Sequence, residues 1–405
     1  MSIAHPEIPR PSLMGFTLPL MAAAGLGFGY IVGTAHGAPV PGFLAGALLG
    51  AVLGYVLASF VPNRKAGRIG AAVVAAVAGF VLSGFPGAVV GAIIGLIMSW
   101  FAYWLSSGDY RAKVPVYATA GDVLWHNSFK FICGLIFFFL VAPIVVVLPL
   151  SFNAQDFFTF TPEMLSFDPA GYSLKHYEDF LTNPNWTRPL KNSFIIAPLA
   201  TIISVSLGTL AAIGLSQSHV PGRRAIMAIL ISPMIVPLII SATGMFFFYS
   251  KLGNWLEATV GLSGDFIGFI KVILAHAVLG IPFVIITVTA TLVGFDRSLT
   301  RAAANMGAGP VRTFFKVQMP LILPGVISGG LFAFITSFDE VVVVLFVGSA
   351  AQKTLPWQMF TGLREQISPT ILAVATVLVI FSIALLTTVE LLRRRSERLR
   401  GMSPS

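Results

Sequence analysis

The chain has 405 residues, of which 56% are apolar and only 10% charged, with a formal net charge of +9 and a mean hydropathy of +0.88. A soluble globular domain carries about 25% charged residues, so a water-soluble fold is excluded and a polytopic, all-α membrane protein is indicated. The positive balance has no soluble basic face to occupy, which argues against nucleic acid as a partner and for a role in membrane topology.

Windows of about 17 to 25 apolar residues, long enough to cross the hydrocarbon layer, predict about ten transmembrane helices. Their rough cores are 14–34, 41–60, 69–84, 86–105, 128–150, 193–216, 224–249, 267–293, 322–347 and 370–392. Cations occupy alternate gaps: Arg10; Arg64, Lys65 and Arg68; Arg111 and Lys113; Arg223 and Arg224; the stretch from Arg297 to Lys316; and Arg393, Arg394, Arg395, Arg398 and Arg400. The positive-inside rule therefore places both termini and these gaps in the cytoplasm. The first dozen residues, with Pro6, Glu7 and Pro9, do not form a signal peptide.

Composition divides the chain near residue 112, into a small-residue-rich region of four helices (1–112) and a region of six larger spans (113–405). The first region repeats itself. Pro41-Gly42-x-x-x-Gly46-Ala47-x-x-Gly50 returns as Pro86-Gly87-x-x-x-Gly91-Ala92-x-x-Gly95, which predicts two duplicated helical hairpins. Glycines four apart (Gly25, Gly29, Gly33; Gly42 to Gly54; Gly87, Gly91, Gly95) line one helix face, where another backbone can approach closely. That face suits internal packing of a four-helix bundle, docking of another subunit, or a self-associating pore.

Several chemistries are unsupported. The single cysteine, Cys133, lies in a hydrophobic span and cannot make an intrachain disulfide or thiolate cluster. His5, His36, His126, His176, His219 and His276 lack the i, i+4 spacing of a helical metal pair. No Gly-x-x-x-x-Gly-Lys-Ser/Thr loop is present to cradle ATP phosphates. The chain reads as non-catalytic, with no catalytic residue, metal or cofactor of its own.

The stretch 294–320 is a polar, basic insert between two apolar spans. Asp296 or Ser298 can cap a short helix on which Leu299, Ala302, Ala303 and Met306 share a face. Gly307 suits a left-handed stop, Pro310 the first turn of a second helix, and Val311, Phe314 and Phe315 its apolar face. Pro320 and Pro324 are expected to bound the next span. Stop, restart and basic outer face together indicate a rigid docking element.

On these residues the chain resembles the transmembrane subunits of bacterial ATP-binding-cassette importers, specifically permeases grouped with spermidine/putrescine systems. Their cytoplasmic signature, Glu-Ala-Ala followed by Gly and then Ile-x-Leu-Pro, reads here as Arg301-Ala302-Ala303, Gly307 and Val317-Gln318-Met319-Pro320, with both spacings kept. Further matches are Pro149-Leu150-Ser151-Phe152-Asn153, Tyr172 to Tyr177, Lys191-Asn192-Ser193, Ser232-Pro233 with Pro237, His276 with Gly280-Ile281-Pro282-Phe283, and Ser337-Phe338-Asp339-Glu340. The resemblance covers roughly 125–395 and leaves out the first four helices.

The resemblance implies a type I importer permease fold for the last six helices, in the bacterial inner membrane. It implies ABC ATPase subunits that bind ATP and Mg, a second related permease, and a periplasmic solute-binding protein as partners. It makes Arg301, Ala302, Ala303, Gly307, Val317, Met319 and Pro320 the ATPase-coupling residues. Arg301 stands where the family carries glutamate, a reversed charge that implies a differently matched partner surface.

Asp339 and Glu340 lie in the apolar run Leu321–Val347, where a carboxylate costs at least about 2.5 kcal/mol unless it faces a cavity, a partner or water. At about 1.5 Å per residue they fall about 27 Å along the span, in its outer half. They are candidates either for lining the path of a cationic solute or for a structural contact at the helix end. His276, six residues before Pro282, is a packing histidine or a third path residue. The acidic, aromatic loop Asn153–Asn192 and the loop Gly348–Ser368 share the outer side; the former suits the membrane interface or a binding protein. Two functions follow: an ATP-driven importer subunit for a small cationic solute such as a polyamine, or a self-contained channel or secondary carrier assembled through the glycine-rich helices.

Overall fold

A computed structural model describes residues 11–112, 114–115, 117–216, 220–296, 298–365 and 368–399. Arg10, Lys113, Arg297 and Arg400 of the cation pattern, His5 and His219, and the first ten residues lie outside them, as do the side chains of Arg393, Arg395 and Arg398. The chain forms two compact units, 1–155 with 159–173 and 156–158 with 174–405.

In the first unit a π-helical turn, Leu13–Thr17, leads into α1 (Leu18–Ala35), followed by α2 (Pro39–Phe60), α3 (Arg64–Ser106), α4 (Ala120–Leu150) and the short α5 (Pro162–Leu165). α3 is a hairpin. Its helix breaks at Ser83 and Gly84, where Gly84 takes φ 65°, a left-handed backbone that suits a residue without Cβ. The two arms then run back antiparallel, so that Gly79 faces Gly87, Ala75 faces Gly91 and Ala71 faces Gly95. α1 and α2 pair in the same way, with Gly25 against Gly46 and Gly50, and Gly29 and Gly33 against Gly42. The 45-residue repeat therefore encodes two hairpins, and the glycine faces are used inside them.

The ends of this unit sort as the cation pattern requires. At one end His36 Nε2 lies 2.8 Å from Ser83 Oγ, and the Phe85 and Phe167 rings meet edge to face at 5.4 Å. At the other, Arg64 pairs with Asp109 at 2.8 Å, Tyr103 donates to the Val61 carbonyl at 2.8 Å, and Asn127 donates to the Tyr110 carbonyl at 3.0 Å. The last of these bonds ties α4 to the preceding turn. The compact unit thus extends past the composition change near residue 112. α4 has a capping box, Thr119 with Asp122, and only Val123 and Leu150 buried.

The second unit contains α6 (Lys175–Thr182), α7 (Pro184–Ser216), α8 (Arg223–Ile235), α9 (Leu238–Val260), α10 (Gly264–Val293), α11 (Ser298–Asn305), α12 (Pro310–Thr313), α13 (Met319–Phe338), α14 (Val342–Val347), α15 (Leu355–Glu365) and α16 (Thr370–Leu399). Its centre is the α7, α10, α13 seam. Gly208 admits Val284, Gly280 admits Ser204 and Ala333, and Gly329 admits Thr287 and Val284; Ser204 Oγ donates to the Ala277 carbonyl at 2.9 Å. Ala212, Val284, Val288, Ile322, Val326 and Ala333 fill the seam.

Eight of the described helices are long and apolar enough to cross a membrane, and the α8–α9 pair makes a ninth. Because α3 doubles back, the ten apolar segments each meet a helix, but two are not single rods. The expected span 224–249 bends by 105° between α8 and α9, where Pro237 cannot continue the α8 ladder. The expected span 322–347 ends at Phe338 and restarts at Val342.

At the end of this unit that holds the α7 and α10 N-termini, side chains make long-range hydrogen bonds. Asn192 donates to the Ala351 and Lys353 carbonyls, each at 2.9 Å, and Ser193 Oγ accepts the Leu355 N–H at 2.9 Å. Gln352 donates to the Asp265 carbonyl at 3.0 Å, and Thr370 donates to Asp179 at 2.8 Å. Residues 351–355 are thereby fixed to the N-terminal parts of α7 and α10, and Thr370 to α6.

Candidate functional site

The 294–320 insert folds as its residues direct. The Asp296 carboxylate accepts the Ser298 N–H at 2.8 Å and the Ser298 hydroxyl at 2.6 Å, capping α11. These hydrogen bonds hold the Asp296 carboxyl below its usual range, so the charged cap is kept at neutral pH and is lost only as pH falls through that lowered value. At the other end Gly307 takes φ 79°. The Ala308 N–H reaches the Ala303 carbonyl at 3.0 Å and the Gly307 N–H the Ala304 carbonyl at 2.9 Å, which is the Schellman pattern. Pro310 then opens α12.

Pro320 opens α13 as expected, whereas Pro324 lies inside it, and the boundary is a change of helix type with no gap. A π-helical turn, Phe314–Gln318, joins α12 to α13, and Met319 N–H bonds back to the Phe314 carbonyl. Widening the helix by one residue ahead of Pro320 accommodates a residue with no N–H. Pro310–Phe338 is consequently one helical segment of 29 residues, about 43 Å long at 1.5 Å per residue. It runs from the insert to the Asp339 break.

Of the signature residues, Ala303 is buried, Val317 and Met319 are half-buried, and Arg301, Ala302, Gly307 and Pro320 are exposed. Of the expected apolar faces, Ala303 is buried and Phe314 half-buried, while the rest is turned outward. Met306 is 81% exposed, Val311 69% and Phe315 62%, whereas Ala303 and Thr313 are buried where α11 and α12 meet.

At the far end of the α13 rod the two carboxylates separate. Asp339 is exposed and caps the C-terminus of α13. Glu340 is 7% exposed, and its Oε1 accepts the Val343 N–H at 2.7 Å, satisfying a donor in the first turn of α14. The apolar run is interrupted here because Glu340 supplies the cap that a new helix start needs. Replacing Glu340 by Ala should lower stability by about 1 to 2 kcal/mol, and by Gln, whose carbonyl still accepts that N–H, by less. Thermal unfolding of the purified protein reads this; equal effects of the two changes would refute the capping role.

His276 lies buried on α10, with Nδ1 2.8 Å from Ser337 Oγ and no partner on Nε2. It meets α13 two residues before Asp339, so the three path candidates do converge on one region. Phe338 pins the same end of α13, meeting Phe194 of α7 edge to face at 5.4 Å, Phe334 at 5.5 Å and Phe381 of α16 at 5.5 Å. Ser337, Asn192 and Gln352 were not singled out as site residues in the sequence. The first two stand inside matched motifs, and only the long-range contacts give them a task.

A polytopic bundle of long apolar helices is the architecture of a multi-pass membrane protein. Residues 204–400 match the family model described as binding-protein-dependent transport system inner membrane component. The chain is 29% identical over 270 residues to the spermidine/putrescine transport system permease protein PotC of Haemophilus influenzae, covering 67% of this chain and 96% of that one. It is 29% identical to the putrescine transport system permease protein PotI of Escherichia coli, covering 60% and 82%. Among solved structures, a bacterial ABC transporter involved in import of the acidic polysaccharide alginate superposes with a TM-score of 0.52 at 16% identity, covering 68% of this chain and 99% of that one. A structure of such a transporter in complex with an alginate pentasaccharide-bound periplasmic protein gives 0.52 at 15%, covering 67% and 94%.

Proposed function

We propose that this chain is the permease subunit of an ATP-driven importer that passes a small cationic solute, a polyamine such as spermidine or putrescine, from a periplasmic binding protein to the cytoplasm. ATP and Mg act on partner ATPase chains, a second related permease completes the path, and both termini are cytoplasmic. The observation that carries the mechanism is the single rod Pro310–Phe338. One end presents Val311 and Phe315, beside Met306 at the end of α11, to a partner, and the other stops at Asp339 and Glu340. Closure of an ATPase dimer that grips α11 and α12 displaces the rod, and the α13–α14 break takes up the motion beside the exposed Asp339.

Within this reading Asp339 is the carboxylate available to a cation, while Glu340 holds the break and His276 positions Ser337. The relatives' names support the polyamine assignment. The rival reading, a self-contained channel or carrier built through the glycine-rich helices, loses its surface, because those glycines face each other within the α1–α2 and α3 hairpins.

The test is uptake of labelled polyamine into proteoliposomes containing the permease pair and binding protein, with and without the ATPase. Uptake is expected only with the ATPase and ATP, and Asp339→Asn should lower it about tenfold while ATP hydrolysis persists. Undiminished uptake without any ATPase would overturn the proposal.

A further inference from the structure

We infer that the ATPase surface receiving α11 and α12 is acidic, and that Arg301 is the residue that engages it. The inference rests on the coupling reading above and goes beyond it by fixing the partner's charge. Arg301 is two positions from Ala303, the buried residue of α11, and two helical steps turn the side chain by about 200°. Arg301 therefore stands at the apex of the free face of α11.

Around it, exposed Arg312 and Lys316 flank the exposed apolar Val311 and Phe315. From 294 to 320 the sequence holds Asp296 as its one acid against Arg297, Arg301, Arg312 and Lys316. Asp296 feels the charge of Arg301, but both its oxygens are taken by Ser298. No ion pair to Arg301 is formed among the described residues. An exposed, unpaired cation on the free face of α11 is favourable in a complex only opposite an anion, since like charge or an empty desolvated pocket there would cost affinity.

The topological requirement for cytoplasmic cations is met by any position in the insert and does not explain the apex. Anionic lipid headgroups are the other acidic surface within reach. Because α11 follows closely on α10 as well as preceding α12, the vesicle composition in the test is what separates headgroups from the ATPase.

The test uses the assembled importer in vesicles, with ATPase retention measured across rising NaCl. Arg301→Glu is expected to weaken ATPase binding about tenfold at low salt and to flatten its salt dependence, with Arg301→Lys close to wild type. Met306→Ser is expected to weaken binding at every salt concentration with the slope unchanged. Charge reversal of one acidic groove residue in the ATPase should restore Arg301→Glu.

If Met306→Ser weakens binding and Arg301→Glu changes neither affinity nor slope, the acidic-groove inference is wrong and the coupling reading stands. If neither change matters, the coupling reading itself fails. An Arg301→Glu effect that disappears in vesicles of neutral phosphatidylcholine assigns the cation to lipid and also overturns the inference.

Discussion

Gly307→Val is expected to cut ATP-driven uptake at least tenfold while leaving the protein in the membrane at normal abundance. Gly307 holds φ 79°, and forcing an L-residue into that region costs about 1 to 2 kcal/mol, more for a β-branched one. Two carbonyls of α11, those of Ala303 and Ala304, depend on this conformation for their partners. The cheapest relief is to unwind the turn, which frees α11 from its angle to the rod. Neither helix needs to unfold for the mechanical link to be lost, so stability of the whole chain should fall little. Gly307→Asn, which tolerates the left-handed region, should keep most activity. The measurement is uptake and binding-protein-stimulated ATP hydrolysis in the same proteoliposomes. Equal activity of the Val and Asn variants would show that the angle does not matter.

What the sequence made legible was decided by patterns that composition and spacing carry directly. Hydropathy found every apolar segment, the 45-residue repeat found both hairpins, and Gly307 with Pro310 marked the stop and restart. Its failures share a cause. A hydropathy window reports that a segment is apolar but says nothing about its direction, so the bend at Pro237 and the break at Asp339 passed as straight spans. The same blindness hid the continuity through Pro320, because the compensation lies in the π-turn ahead of it. For Glu340 the sequence leaves open a path role and a structural contact at the helix end, and the bond it accepts from the Val343 amide is of the second kind. Of the amphipathic stripe of the insert, Ala303 is buried, whereas Met306, Val311 and Phe315 are exposed among the described residues. Ser337, Asn192 and Gln352 escaped notice because their partners are remote in sequence, at His276, Ala351 and Asp265.

Gly46→Leu should have the largest effect on assembly and little effect on transport per assembled complex. A Cβ at Gly46 would strike the Gly25 carbonyl oxygen, and would come within 2.6 Å of the Gly29 Cα. These are backbone atoms on the facing helix, so no side-chain rotation relieves the clash and α1 must move away from α2. In hydrocarbon the pair has no hydrophobic force to bring it together, and close backbone packing is its main attraction. Overpacking of this kind typically costs about 1 to 3 kcal/mol, and here it acts on the same contact that Gly42 and Gly50 repeat along the hairpin. Gly27→Leu is the matched control. It adds the same side chain to the same helix, with nothing within 4 Å of the new Cβ. The comparison reads steady-state abundance of the chain in membranes, its thermal unfolding midpoint, and uptake normalised to assembled importer. Loss of abundance for Gly46→Leu with normalised uptake unchanged would assign α1, α2 and α3 to assembly. A normalised uptake that falls with abundance intact would instead place the first four helices in the transport cycle, since the coupling rod and the Asp339 break lie outside the helices that the substitution disturbs.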